Sequence, residues 1–127
     1  MAEKLLFIAC GGGIGAALRY VISAWASAHG GAVFPYGTAL VNIIGSFLIG
    51  LSASYFAVHA TLPPPTVKLF IVTGILGGFT TFSTYNLEFI TLLRTGSFTY
   101  ACTYALLNIV ITFLCCFAGL IIGELLF

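Results

Sequence analysis

The chain has 127 residues, of which 61% are hydrophobic and 6% are charged, and its mean hydropathy is +1.18. A water-soluble domain needs far more charge to cover its surface, so the composition predicts an integral membrane protein surrounded by lipid. The formal net charge of +1 does not provide the basic surface of a nucleic-acid-binding protein, and no nucleic-acid partner is expected.

Four apolar segments follow one another along the chain, and each reaches the roughly 20 residues that cross about 30 Å of hydrocarbon as a helix. They are Lys4–Ala28, Gly37–Val58, Lys68–Leu93 and Phe98–Phe127. The connections are typical of turns: His29–Gly31, Thr61–Thr66 and Thr95–Ser97. The period-two pattern of β-barrel strands is absent. The sequence predicts a single all-α domain of four transmembrane helices over residues 1–127.

The charges that set membrane orientation are almost evenly divided between the two faces. Lys4 and Lys68 fall on one face, and Arg94 falls on the other, together with Arg19 if its side chain extends that way. Orientation follows the asymmetry of Lys and Arg, which is close to nil here. One weakly specified orientation, or insertion both ways with two oppositely oriented copies pairing, fit this pattern about equally well.

Arg19 is a charged residue within the first apolar segment. Gly11, Gly15 and Arg19 share one helical face, which predicts that the arginine points into packed protein rather than lipid. A structural role is favoured over ion contact: Arg19 would bind backbone carbonyls or pair with Glu88.

Polar residues spaced four apart form one stripe on the second segment and another on the fourth. The stripes are Thr38, Asn42 and Ser46, and Tyr104, Asn108 and Thr112. Each stripe alone is typical of hydrogen bonding between helices. Together they predict a converging track of mostly neutral donors, which suits a small anion better than an organic cation.

The segment Gly77–Thr84 predicts a break near the middle of the third helix. Two glycines precede four hydroxyl residues within eight positions, a poor composition for an unbroken helix. Irregular backbone at membrane depth requires burial in protein or a cavity, and it frees carbonyls that can coordinate a cation. The alternative is a straight helix whose hydroxyls bond back to the preceding turn.

Enzyme signatures are missing from the sequence. The four cysteines all lie in apolar segments without Cys-x-x-Cys spacing, which indicates inert packing residues. No nucleophile elbow, phosphate-binding loop or metalloprotease motif occurs. The chain is not expected to be an enzyme.

Five motifs together resemble the Fluc (CrcB) fluoride channels over essentially the whole chain. They are Leu18–Tyr20, Phe34–Thr38, Val41–Asn42, Gly45–Phe47 and Gly77–Thr84. The resemblance implies an antiparallel, dual-topology homodimer in the cell inner membrane, with two pores that export fluoride passively and confer fluoride resistance.

The resemblance also implies roles for individual residues. Asn42 matches the pore asparagine and Phe82 the first ring of a paired aromatic box, and the implied fluoride pathway comprises Thr38, Asn42, Phe82, Ser83, Thr84, Tyr85, Glu88, Tyr104 and Asn108. Backbone carbonyls of Gly77 and Thr80 match those that hold a structural Na⁺ at the dimer interface. Two positions depart from the family: Tyr85 stands where phenylalanine is usual, and Asn108 where a small hydroxyl residue is common.

Two other functions need different features. Small multidrug transporters are also four-helix dimers, but they need a carboxylate embedded in the first helix, where this chain has only Glu3 at the extreme end. Glu88 could serve instead, but it lies near the end of the third segment. A membrane assembly factor without transport activity would leave the polar stripes unexplained. Flux that follows a pH gradient would indicate the transporter, and flux down the ion gradient alone would indicate the channel.

Overall fold

The computed structural model describes residues 1–61 and 63–127 as helices and short connections. Its four long helices are apolar enough to cross a membrane: Ala2–Gly30, Tyr36–Val58, Pro65–Arg94 and Phe98–Leu126. We call them the first to fourth spans. The described residues form no strand, so the all-α prediction is confirmed.

The ends of the spans lie within three residues of the predicted bounds and follow local chemistry. The first span ends at Gly30 and is followed by Gly31, whose φ of 91° is readily adopted by glycine. The third span begins at Pro65, where proline has no N–H to leave unpaired. The predicted turn over Thr61–Thr66 includes Leu62, which lies outside the described residues.

Glycines allow the first span to approach the third until the backbones touch. A Cβ on Gly11 would lie 3.0 Å from the Cα of Gly74, and a Cβ on Gly15 would overlap the carbonyl of Ile75. Without a hydrophobic force between helices in lipid, such close contact supplies van der Waals attraction. Gly11 and Gly15 therefore lie on a packed face of the first span, as the face that they share with Arg19 was expected to be.

The second span packs against the fourth in the same way. A Cβ on Gly50 would overlap the carbonyl of Cys116, and a Cβ on Gly119 would overlap the carbonyl of Phe47. Gly123 continues this contact beside the side chain of Ser54. We refer to Gly50, Gly119 and Gly123 as the glycine seam.

The third span is broken near its middle, as predicted. Its helix runs to Phe79, gives way to extended backbone at Thr80 and Thr81, and resumes as Phe82–Arg94. The φ and ψ angles are −84° and 156° at Thr80 and −152° and 120° at Thr81. Wider π-helical turns precede the break and recur in the fourth span at Leu106–Ile111. π-helical turns are rare in proteins, and those that occur are often found at functional sites.

Candidate functional site

The break is held by the side chain of Asn42 from the second span. Its Nδ2 donates to the carbonyl oxygen of Thr81 at 3.0 Å, and the Thr81 N–H donates to its Oδ1 at 2.8 Å. Both residues are buried. One primary amide therefore pairs with both polar groups of an extended residue, as a neighbouring strand would.

Asn108 brings the polar stripe of the fourth span to the same point. The Nδ2 of Asn42 donates to the Oδ1 of Asn108 at 2.8 Å, while the Nδ2 of Asn108 donates to the Tyr104 carbonyl at 3.0 Å. Thr112 continues the stripe by donating to the Asn108 carbonyl at 2.8 Å. The two stripes thus meet the break, with Asn42 and Asn108 in direct contact.

Thr81 also begins the second half of the third span. Its hydroxyl oxygen accepts from the N–H of Thr84 at 3.3 Å, which is the bond that a helix N-cap residue makes. The same hydroxyl donates to the Thr84 hydroxyl at 3.1 Å and lies 3.3 Å from that of Ser83. Three hydroxyl groups therefore cluster where the helix restarts.

The bonds of Thr81 and Thr84 leave two carbonyls without the partners that a continuous helix would supply. The Thr81 N–H, four residues after Gly77, donates to Asn42, and the Thr84 N–H, four after Thr80, donates to the Thr81 hydroxyl. The carbonyls of Gly77 and Thr80 therefore lose these i+4 bonds. In the described part of the chain, no three His, Cys, Asp or Glu side chains form a metal site.

Aromatic rings extend from the break toward the first loop. The ring centroids are 5.4 Å apart for Phe82 and Tyr85, 5.2 Å for Tyr85 and Tyr104, and 5.6 Å for Tyr104 and Phe34. Phe82 is 66% exposed, whereas Tyr85 is 4% exposed and Tyr104 is fully buried. The two rings of the expected aromatic box therefore differ: one faces out of the chain and the other lies in its core.

Glu88 lies further along the third span, where its carboxylate accepts a hydrogen bond from the Tyr104 hydroxyl. The partner of Glu88 is thus Tyr104 on the fourth span rather than Arg19, which is half-buried on the first span. Glu88 and Thr38 line an open cavity of about 430 Å³ between the first three spans. Hydroxyls of Ser23 and Thr91 share this cavity.

A second cavity, of about 320 Å³, opens beside the break. Its polar lining comes from the second, third and fourth spans: Asn42, Ser46, Thr80, Thr81, Asn108 and Thr112. Phe82 lies at the same cavity. The structure therefore gathers most of the predicted track around one opening at the break.

A family model described as CrcB-like protein, Camphor Resistance (CrcB), matches residues 6–120. The chain belongs to the CrcB family. The resemblance expected from the five motifs is therefore confirmed.

Several CrcB relatives are named fluoride-specific ion channel FluC. The chain is 41% identical to the one from Agrobacterium fabrum over 126 residues, covering 98% of both chains. It is 43% identical to that of Clostridium novyi over 127 residues, covering 98% of this chain and 95% of the relative. It is 48% identical to that of Roseiflexus sp. over 103 residues, covering 81% of this chain and 82% of the relative.

CrcB family membership settles several broader expectations. With four helices able to cross a membrane, the chain is a multi-pass membrane protein. Its relatives are named as ion channels, which agrees with the prediction that the chain is not an enzyme. The match places the chain in the CrcB family rather than among the small multidrug transporters.

Two features of this site were missed by sequence reasoning. Phe34, in the first loop, is folded into the core against Tyr104, and Thr81 is the helix cap. A Thr three residues before another hydroxyl residue signals the cap. Only the folded loop shows the contact of Phe34.

Proposed function

We propose that this CrcB family member conducts fluoride passively down its electrochemical gradient and confers fluoride resistance. The observation that carries the proposal is the meeting of neutral polar groups from three spans at the break, centred on Asn42, Thr81 and Asn108. The names of the relatives support it independently. Localisation to the cell inner membrane is part of the same proposal.

The chemistry of fluoride explains why such a lining is suitable. Fluoride is small and strongly hydrated, so removing its water is costly unless other donors replace it. Donors in this chain are the hydroxyls of Thr38, Ser83 and Thr84, together with the electropositive ring edges of Phe82 and Tyr85. The Tyr104 hydroxyl lies beside them and donates to Glu88. Asn42, Asn108 and Glu88 complete the proposed pathway. Neutral donors allow the ion to bind without the strong trapping that a fixed positive charge would produce.

We propose that two oppositely oriented copies form the conducting unit, with two pores. Phe82 is 66% exposed and the adjacent Ser83 is exposed, so one copy alone leaves this side of the pathway open to lipid. A second copy would cover both residues. The nearly even distribution of Lys4, Lys68 and Arg94 between the faces is compatible with insertion in both directions.

A structural Na⁺ at the interface of the copies is the finer part of this proposal. The residues fit such an ion because the carbonyls of Gly77 and Thr80 are released from their i+4 helical bonds. Carbonyl oxygens are suitable ligands for a hard cation, and broken transporter helices use them for Na⁺. The ion's charge would offset that of fluoride nearby.

The decisive experiment is ion efflux from liposomes that contain the purified protein, with chloride as the control ion. We expect rapid fluoride release without a pH gradient, and much slower chloride release. Replacing Phe82 with isoleucine should abolish the fluoride flux. Release that requires a pH gradient, or full flux in the Phe82→Ile variant, would contradict the proposal.

The departure at Tyr85 offers a second test in the same liposomes. Its hydroxyl adds a donor that phenylalanine lacks, and a donor that holds fluoride longer slows its exit. We expect Tyr85→Phe to raise the maximal flux. Tyr100→Phe, which removes a hydroxyl outside the proposed pathway, is the matched control. Equal flux in Tyr85→Phe and the wild type would show that the Tyr85 hydroxyl does not contact the ion.

A further inference from the structure

All the hydrogen-bonding groups of the Asn42 side chain are engaged within the chain. One amide hydrogen is directed to the Thr81 carbonyl and the other to Asn108, while the amide oxygen accepts from the Thr81 N–H. A primary amide has two N–H donors, so neither is left to bind an anion. Asn42 therefore lacks the free N–H that a direct donor in the pathway would need.

The backbone of Thr81 explains why an amide is needed at this position. Extended backbone presents N–H and C=O to the same side, and in lipid both must find partners. A primary amide carries a donor and an acceptor at matching separation, which serine, threonine and leucine do not. Asn42 provides both partners from the second span, which fixes this segment relative to that helix.

Asn108 determines how the Asn42 amide is oriented. The Oδ1 of Asn108 accepts a hydrogen bond from the Asn42 Nδ2, which lies 2.8 Å away. The Asn108 Nδ2 donates to the Tyr104 carbonyl at 3.0 Å. With a small hydroxyl residue here, the side chain would be too short to reach Asn42 and would bond back along its own helix, as Thr112 does.

We propose that Asn42 is a positioning residue in this chain: held by Asn108, its amide fixes the broken segment at Thr81 and does not itself bind the conducted anion. This inference rests on the proposed fluoride conduction and refines the role of Asn42 in it. The ion's donors are then the hydroxyls and ring edges that Thr81 orients at the start of the following helix, which include Ser83, Thr84 and Phe82.

Hydrogen exchange of the Thr81 backbone amide tests the positioning role without fluoride. In the full-length protein in detergent micelles, measured by NMR, Asn42→Ala should make this exchange about tenfold faster because the N–H loses its acceptor. Ser46→Ala, one turn further along the same span and at the same cavity, should leave the rate unchanged. A wild-type rate in Asn42→Ala would overturn the proposal.

A second variant keeps the test decisive if Asn42→Ala does not fold. Asn108→Ser removes one bond to Asn42 but leaves the two to Thr81, so exchange at Thr81 should be about two- to threefold faster. An unchanged rate in Asn108→Ser would contradict the role of Asn108.

Fluoride flux tests whether this positioning matters for conduction. Asn108→Ser loosens the Asn42 amide, so the maximal flux should fall together with the faster exchange at Thr81. A wild-type maximal flux together with faster exchange at Thr81 would show that Asn42 does not position the ion's contacts, which would overturn the proposal. If the wild type carries no fluoride, the conduction proposal fails. The exchange rates still test whether Asn42 holds the backbone of Thr81.

Discussion

The second span meets the fourth along the glycine seam, whereas it meets the third through the side chain of Asn42. At the seam, Gly50 and Gly119 bring backbone against backbone, and the main side-chain bond nearby runs from the Ser54 hydroxyl to the Leu120 carbonyl at 2.7 Å. At the break, a side-chain amide binds the backbone of a segment that has left the helix.

The difference between these regions follows from lipid as a solvent. A regular helix satisfies its own backbone, so two helices need only approach closely to attract each other. Extended residues such as Thr81 have no such internal partners and depend on polar side chains from other spans. We therefore expect the seam to control folding through shape, and the break to control conduction through hydrogen bonding.

The largest effect on folding is expected from Gly50→Val. A Cβ at this position overlaps the Cys116 carbonyl, which is rigid backbone, so the two helices must separate. We expect the free energy of unfolding in detergent to fall by about 3 kcal/mol or more. Gly13→Val is the matched control, since a Cβ there meets nothing within 4 Å. Equal stability of the two variants would show that the seam does not hold the spans.

Asn42→Leu is expected to rank next in stability and first in its effect on transport. The side chain keeps its branched shape, but the N–H and C=O of Thr81 lose their partners in a buried site. Unsatisfied groups of this kind cost about 1–3 kcal/mol each, and fluoride efflux should disappear. Thermal unfolding in detergent and liposome efflux measure these effects. Retained flux would refute the importance of the break.

A smaller effect is expected from Tyr104→Phe. The ring stays in place between Tyr85 and Phe34, but the hydroxyl that donates to Glu88 is lost. The free energy of unfolding should fall by about 1–3 kcal/mol, because hydrogen bonds to charged groups are among the stronger ones. Tyr100→Phe is the control because that side chain is 47% exposed, whereas Tyr104 is fully buried. Indistinguishable melting temperatures would mean that the bond adds no stability.

Ser54→Ala should have the smallest effect. It removes the one bond to the Leu120 carbonyl and leaves the glycine contacts intact. Hydrogen bonds between transmembrane helices contribute about 0.6 kcal/mol on average, so melting should shift little and fluoride flux should not change. Ser52→Ala provides the comparison. A marked loss of flux would show that the seam and the break are coupled.

Sequence reasoning predicted more of the fold than of the site. The spans were evident because hydrocarbon thickness sets both the length and the apolar content of a helix. The break was evident from Gly77–Thr84, since glycines and hydroxyl residues weaken a helix locally. The bond between Asn42 and Thr81 joins residues 39 apart, and no local pattern specifies which side chain reaches which backbone group.

The sequence by itself determined that this chain crosses the membrane four times, that its third crossing is broken, and that polar stripes line two of its helices. These properties depend on local composition and on the spacing of polar residues along a helix, both of which can be read from consecutive residues. Only the tertiary structure decided that Asn42 pairs with both groups of Thr81, that Tyr85 is buried while Phe82 faces outward, and that Phe34 returns to pack on Tyr104. Those outcomes depend on how closely the glycine-lined helices approach and at what register, which is a property of the packed bundle rather than of any one helix.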